Sequence, residues 1–206
     1  MPQPSRRLVL ALVAVACVAC VANARLRGRP AQEIDYPGLY AKGISFAEFL
    51  EHARARRDEW RKHYNDAIVT PDLITRMRAL PEKRRLLVVT EDWCSDSANT
   101  VPYIARLVDG APERLEMRLI NSQLGKAVME AHRTPDGRTA TPTVVVLGDD
   151  GRFIGAWTER PSSTQAWFLE KQKTTMQKPL KEELIAWYAK DAGKTTVAEI
   201  ADILGR

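Results

Sequence analysis

Cysteine is scarce in this chain. Its 206 residues hold three, Cys17, Cys20 and Cys94, and the first two fall inside an apolar run at the N-terminus. If the first 24 residues are removed, Cys94 stands alone and no internal disulfide can form. Histidine is as sparse. His52, His63 and His132 are all remote from Cys94 in sequence, which disfavours a Cys–His hydrolase or transferase. Neither two-cysteine nor His–Cys metal spacing occurs beyond residue 24, so no metal and no cofactor is expected. The chain also lacks a block of one charge. Its formal net charge of +5 falls to +3 when Arg6 and Arg7 leave with the first 24 residues. The remaining Lys and Arg are mostly interleaved with acids, as across Arg54–Lys62, so a solvated basic face is expected and nucleic acid is not. No internal repeat is visible, which leaves one domain of ordinary size plus extensions. Hydrophobic residues at 45% suffice for a sizeable core.

What is present begins with targeting. Arg6 and Arg7 precede the apolar run Leu8 to Ala22, and Ala22-Asn23-Ala24 offers small residues at signal-peptidase spacing. Residues 1–24 therefore read as a signal peptide or membrane anchor. The run is somewhat short for a span of about 20 residues. Ser5-Arg6-Arg7-Leu8-Val9-Leu10 also resembles a twin-arginine signal. Cys17 and Cys20 follow small residues and are candidate lipid carriers, although neither has the leucine a lipobox usually places before it. Arg25, Arg27 and Arg29 balance the basic residues before the run, so the positive-inside rule leaves orientation open. The expected location is the periplasm or cell envelope, with a membrane tether through the N-terminus as one form of it. Residues 25–43, rich in Arg, Pro and Gly without periodicity, read as a tether, and 44–206 as the folded domain.

Within that domain the spacing predicts helices and strands in a definite order. Ser45 with Glu48 forms a capping box. Phe46, Phe49, Leu50, Ala53, Trp60, Tyr64 and Ala67 recur at helical spacing and predict one long helix. Thr70-Pro71 opens a second through Leu80. Strands are expected at Leu86–Thr90 and Leu115–Asn121, with a helix to about Asp109 between them and another marked by Leu124, Ala127, Val128 and Ala131. A hairpin comprises Thr143–Leu147, the Gly148-Asp149-Asp150-Gly151 turn and Arg152–Thr158. Helices at about Ser163–Gln172 and Pro179–Lys190 come next, then a last one capped at Thr196.

The chemistry concentrates at Thr90-Glu91-Asp92-Trp93-Cys94-Ser95-Asp96-Ser97, where a buried strand delivers Cys94 to a helix start. A thiolate there faces unpaired N–H groups and the positive end of the helix dipole. Ser97, one turn along, has a hydroxyl able to hydrogen-bond the sulfur, but it cannot attack a mixed disulfide. Asp92 and Asp96 place negative charge beside the sulfur and oppose thiolate formation. An inert buried cysteine is the competing reading of Cys94.

Three landmarks in order resemble the thioredoxin superfamily: Trp93-Cys94, Pro102 eight residues beyond the cysteine, and Thr141-Pro142-Thr143 ahead of a Val-rich strand. The strand–helix–strand–helix–hairpin–helix order is similar too, with two helices added before it. Glu91-Asp92-Trp93-Cys94-x-Asp96 and Gly155-x-Trp157-x-x-Arg160-Pro161 look like a bacterial thioredoxin-like family reading DWCxD. The resemblance implies a three-layer α/β fold with extra N-terminal helices and a cis-Pro142 loop facing the thiol. Ser97 stands where the second cysteine of the superfamily motif would be, and Val88 where its buried acid would be. The function implied by the resemblance is that of a monothiol protein of the envelope, exchanging thiols and disulfides through Cys94, with an external thiol such as glutathione resolving it. Cys94 and Ser97 would be catalytic, and Trp93, Thr141 and Pro142 would bind the substrate, a protein or low-molecular-weight thiol or disulfide. The alternative is a non-catalytic binding module using the groove between the Trp93 and Thr141-Pro142 loops. For Arg160, a salt bridge at a helix start is the plainer role and steering of an anionic partner the other.

Overall fold

The computed structural model describes residues 33–206; residues 1–24, expected to be a signal peptide or anchor, and the start of the expected tether lie outside the described residues. The sheet is built on β1 (Arg84–Val89), a central strand whose Leu86, Leu87, Val88 and Val89 are all buried. It pairs in parallel with β2 (Leu115–Ile120) and antiparallel with β3 (Thr143–Leu147), which pairs with β4 (Phe153–Thr158), giving the order β2-β1-β3-β4. A strand segment buried on both faces needs a continuous apolar run, and Leu86–Val89 of β1 and Val144–Leu147 of β3 supply one. In β2 the alternation of Leu115, Met117 and Leu119 with Glu116 and Arg118 marks an edge strand.

Leu86, Val88, Val144 and Val146 face the main core with Trp60, Met77, Ile104, Leu107 and Ile200. These come from α3 (Arg57–Asp66), α4 (Pro71–Arg78), α6 (Val101–Gly110) and α10 (Lys194–Leu204). The opposite face is covered by α1 (Tyr36–Ala41), which packs on β1 and β2, and by α7 (Lys126–Ala131). At Gly125, just before α7, an added Cβ would come within 2.5 Å of Val89, so the close approach requires glycine. The result is the three-layer α/β arrangement with additional helices on the N-terminal side.

Four elements differ from the sequence expectation. From Asp35 onward the chain is not a tether: Asp35 caps α1 by accepting the Gly38 N–H at 2.8 Å, and Pro37 sits in the first turn. Proline is favoured there because its missing N–H would be unpaired anyway. Ile44 then bridges to Leu119 of β2. The long first helix is two, α2 (Phe46–His52) and α3, separated at Arg56 with φ of 51°. Their apolar stripe stays continuous because Phe49 and Trp60 meet edge to face at 4.7 Å. The motif helix likewise divides into α5 (Ser95–Ala98) and α6, with Pro102 in the first turn of the second. The last helix starts after Gly193 rather than at Thr196, which is buried inside it. Glu199 serves neighbouring elements instead, accepting Trp157 Nε1 at 2.7 Å and the Ser162 N–H at 2.9 Å. The remaining helices are α8 (Ser162–Lys171) and α9 (Gln177–Asp191).

Candidate functional site around Cys94

Register brings the two loops of the site together. Val89, the last residue of β1, pairs with Thr143, the first of β3, so the chain beyond Val89 runs beside the chain preceding Thr143. Cys94 thereby meets Thr141. The cysteine is the residue capping α5: its Sγ accepts the Ser97 N–H at 3.5 Å and its thiol donates to the Thr141 carbonyl at 3.2 Å. The Thr141–Pro142 bond is cis. Cys94 is only 9% exposed, whereas Trp93 beside it is 62% exposed and forms the rim. Of the five candidates, Cys94, Ser97, Thr141 and Pro142 therefore converge around the sulfur and Trp93 borders them. Ser97 meets the sulfur through its backbone N–H. Its Oγ is fully buried and has no hydrogen-bond partner.

Both neighbouring aspartates are engaged by distant parts of the chain. Asp92 Oδ2 accepts the N–H groups of Arg54 and Ala55 at 2.8 and 2.9 Å, in the elbow between α2 and α3. Burial would raise the Asp92 carboxyl, but hydrogen bonds from the Ala55, Arg54 and Trp93 N–H groups outweigh it and hold it below the usual carboxylate range. The same elbow fixes the loop backbone: Arg56 Nε donates to the Trp93 carbonyl at 2.9 Å and Trp60 Nε1 to the Asp92 carbonyl at 3.0 Å. Asp92 thus takes the N–H groups at the point where the helix predicted from the long apolar periodicity divides into α2 and α3.

Asp96 lies on the other side, its side chain largely enclosed at 15% exposure. Arg160 Nε and Nη2 donate to its two oxygens at 3.1 and 2.8 Å, and Tyr188 Oη donates at 2.8 Å. Burial raises the Asp96 carboxyl, and Arg160 only partly opposes this. Arg160 is thus in a salt bridge near the start of α8. The negative charges expected to burden the sulfur are therefore both partnered.

Each histidine is committed elsewhere: His52 Nδ1 to the Glu48 carbonyl, His63 Nδ1 to the Ala98 carbonyl, and His132 Nε2 to Tyr36 Oη. Among the described residues no three His, Cys, Asp or Glu side chains gather as metal ligands would. A cleft of about 450 Å³ opens beside Asp92, lined by residues that include Phe49, His52, Thr90, Leu119 and Asn121. Trp93, Cys94, Thr141 and Pro142 do not line it.

Sequence reasoning missed the Arg54–Arg56 elbow and Tyr188. The elbow's backbone donors carry no sequence signal, and Tyr188 lies within the stretch Pro179–Lys190 with nothing local to tie it to the motif. Arg160 and Asp96 were both visible in motifs, but nothing in the chain linked them.

With this geometry established, comparison with known proteins identifies similar chains. A family model described as Thioredoxin matches residues 43–179. A crystal structure of a Pseudomonas aeruginosa protein of unknown function superposes with a TM-score of 0.68 at 20% identity, covering 84% of this chain and 98% of the other. An HIV epitope-scaffold superposes with a TM-score of 0.65 at 19% identity, covering 83% and 98%. At such identities the two structures speak for the fold. No curated protein matches the sequence.

Proposed function

Because the chain belongs to the thioredoxin family, matched over residues 43–179, we propose that it acts as a monothiol in thiol–disulfide exchange, with Cys94 as nucleophile. The observation that carries this reading is the placement of the sulfur: it caps α5, accepts the Ser97 N–H and lies against Thr141 beside cis-Pro142. In the first step the Cys94 thiolate attacks one sulfur of a disulfide R–S–S–R′. A Cys94–S–S–R bond forms, and R′ leaves as a thiolate with the electron pair of the broken bond. In the second, an external thiolate R″–S⁻ attacks the R sulfur, releasing R–S–S–R″ and regenerating the Cys94 thiolate. The proton of that thiol goes to solvent. Ser97 cannot perform this second attack, so the cycle depends on an outside thiol, for which glutathione is a suitable class. Trp93, Thr141 and Pro142 would form the surface that a protein or small disulfide meets. In this reading the chain is a DWCxD-type thioredoxin relative with serine at the second cysteine position.

The working location belongs to the same proposal. The succession of Arg6-Arg7, Leu8 to Ala22 and Ala22-x-Ala24 supports export to the periplasm or retention at the envelope membrane by cleavage, lipidation or anchoring. Among the described residues no helix is long and apolar enough to cross a membrane. Protease accessibility in spheroplasts tests the location, and a protected full-length chain refutes it.

Incubation with oxidised glutathione tests the chemistry. A single glutathionyl adduct on Cys94 is expected, absent from Cys94→Ala and removed by excess reduced glutathione. Trapping of mixed disulfides from cells, with the same control, then identifies the substrate. One observation favours a second reading, a non-catalytic binding module: Cys94 is mostly buried and its thiol already donates to Thr141. That reading predicts a thiol unreactive toward both glutathione disulfide and iodoacetamide until the protein unfolds.

A further inference from the structure

Arg160 and Asp96 stand 64 residues apart in sequence and meet in a buried bidentate pair. Arg160 is oriented on every side. Its Cζ lies 4.2 Å over the Phe168 ring, and Nη1 meets Gln165 Oε1 at 3.1 Å and Glu159 Oε2 at 3.2 Å. Gln165 Nε2 returns to Glu159 Oε2 at 3.0 Å, and Arg138 grips both Glu159 oxygens at 3.2 and 3.0 Å. The charged and titratable groups facing the pair are therefore Glu159 beyond β4, Tyr188 on α9, and Arg138 behind Glu159. All of them converge on a carboxylate two residues beyond the thiol.

A buried ion pair is weak evidence for stability, because desolvation offsets most of its attraction. Its location is more informative than its energy. An ionised Asp96 without a partner would repel negative charge on Cys94, and the two groups would compete to lose a proton. Arg160 removes that competition. It also ties the four-residue α5 to α8 and to the chain leaving β4, while Tyr188 ties the same carboxylate to α9, and together they hold the first turn of α5 beside the sulfur. We propose that Arg160 is a positioning residue for the Cys94 site, cancelling the Asp96 charge and fixing the first turn of α5 so that the thiolate forms. This rests on the reading of Cys94 as the reactive thiol.

The test is the rate of iodoacetamide alkylation against pH, read by mass on the peptide containing Cys94 in the folded full chain. Arg160→Met should move the rate–pH midpoint upward by about one unit, lowering the rate about tenfold below the midpoint. Arg160→Lys keeps the charge and should stay within about threefold of wild type. Asp96→Asn removes the charge to be cancelled and should react at least as fast as wild type. The double variant Asp96→Asn with Arg160→Met should recover most of the tenfold loss. Equal profiles for Arg160→Met and wild type overturn the proposal, as does a double variant as slow as Arg160→Met. So does Arg160→Lys falling as far as the methionine variant. Should Arg160→Met not fold, the folded Asp96→Asn decides: alkylation tenfold slower than wild type overturns the charge-cancelling role. Wild type that never forms a glutathione adduct while these rate differences persist overturns the exchange reaction and leaves the positioning role standing.

Discussion

Replacing Ser97 by cysteine is the sharpest perturbation of this site. Ser97 lies one helical turn beyond Cys94, and its N–H is 3.5 Å from the Cys94 sulfur. Residues three apart on a helix hold their Cβ atoms about 5–6 Å apart, so a small local adjustment brings them to the roughly 3.5–4.5 Å that a disulfide needs. The substitution also removes a fully buried hydroxyl that has no partner. An unsatisfied buried polar group costs about 1–3 kcal/mol, so the reduced variant should be at least as stable as wild type. Closing a four-residue loop restricts the unfolded chain by about 2 kcal/mol in the loop-entropy account. For a domain of this size that raises the melting temperature of the oxidised over the reduced variant by roughly 4–8 °C. Mild oxidation should remove two hydrogens from the intact mass, with Cys94 and the introduced thiol joined in one peptide. With no thiol added, the reduced variant should reduce a general disulfide substrate completely, releasing both halves as thiols and ending as the internal disulfide, whereas wild type should stop at the mixed disulfide. The gain should be partial, because Val88 cannot transfer protons. A folded variant that refuses to pair its two sulfurs would refute the placement of Ser97 one turn beyond a reactive thiol. Pairing without turnover would keep the geometry and favour the binding module.

The same contacts predict three further outcomes. Ser97→Ala should stabilise the fold by about 1 kcal/mol in chemical denaturation and leave Cys94 alkylation unchanged, since the N–H rather than the hydroxyl meets the sulfur; a slower thiol would show that the hydroxyl acts. Asp92→Ala should cost about 2 kcal/mol by freeing the Arg54 and Ala55 N–H groups, and faster amide exchange at those two residues would report it. The Asp92 carboxyl lies below its ordinary range in the fold, so its contribution is present above the unfolded value of about 3.9 and is lost as pH falls through the lower folded value. The stability difference between wild type and Asp92→Asn should accordingly shrink on acidification below about pH 4, and a difference independent of pH would contradict the assignment.

Much of this architecture was legible in the residues because local rules agreed with the global fold. The runs Leu86–Val89 and Val144–Leu147 are apolar throughout because their strands are buried on both faces. Trp93-Cys94, Pro102 and Thr141-Pro142 marked the corners of the site. Where the reading failed, a long-range partner overrode the local signal in one case and a different local cap won in the other two. The periodicity from Phe46 to Tyr64 predicted one helix, yet Asp92 takes the elbow's N–H groups and the chain turns at Arg56. Thr196 resembled a cap, yet a glycine in left-handed conformation starts that helix and the hydroxyl is buried. Pro37 and Gly38 resembled tether residues, yet Asp35 caps them into a helix lying on the sheet.

By itself, the sequence determined that the domain beyond residue 24 has one thiol, that this thiol follows a buried strand, and that no second cysteine stands near it. Those properties depend only on residue identity and spacing. Tertiary structure alone decided the electrostatics of that thiol. In the sequence Asp92 and Asp96 are two negative charges flanking a cysteine. In the fold one carboxylate is bound by backbone N–H groups of residues 54 and 55, and the other by Arg160 and Tyr188. Coulombic attraction and hydrogen bonding depend on distance in space, and those partners lie between 37 and 92 residues away along the chain.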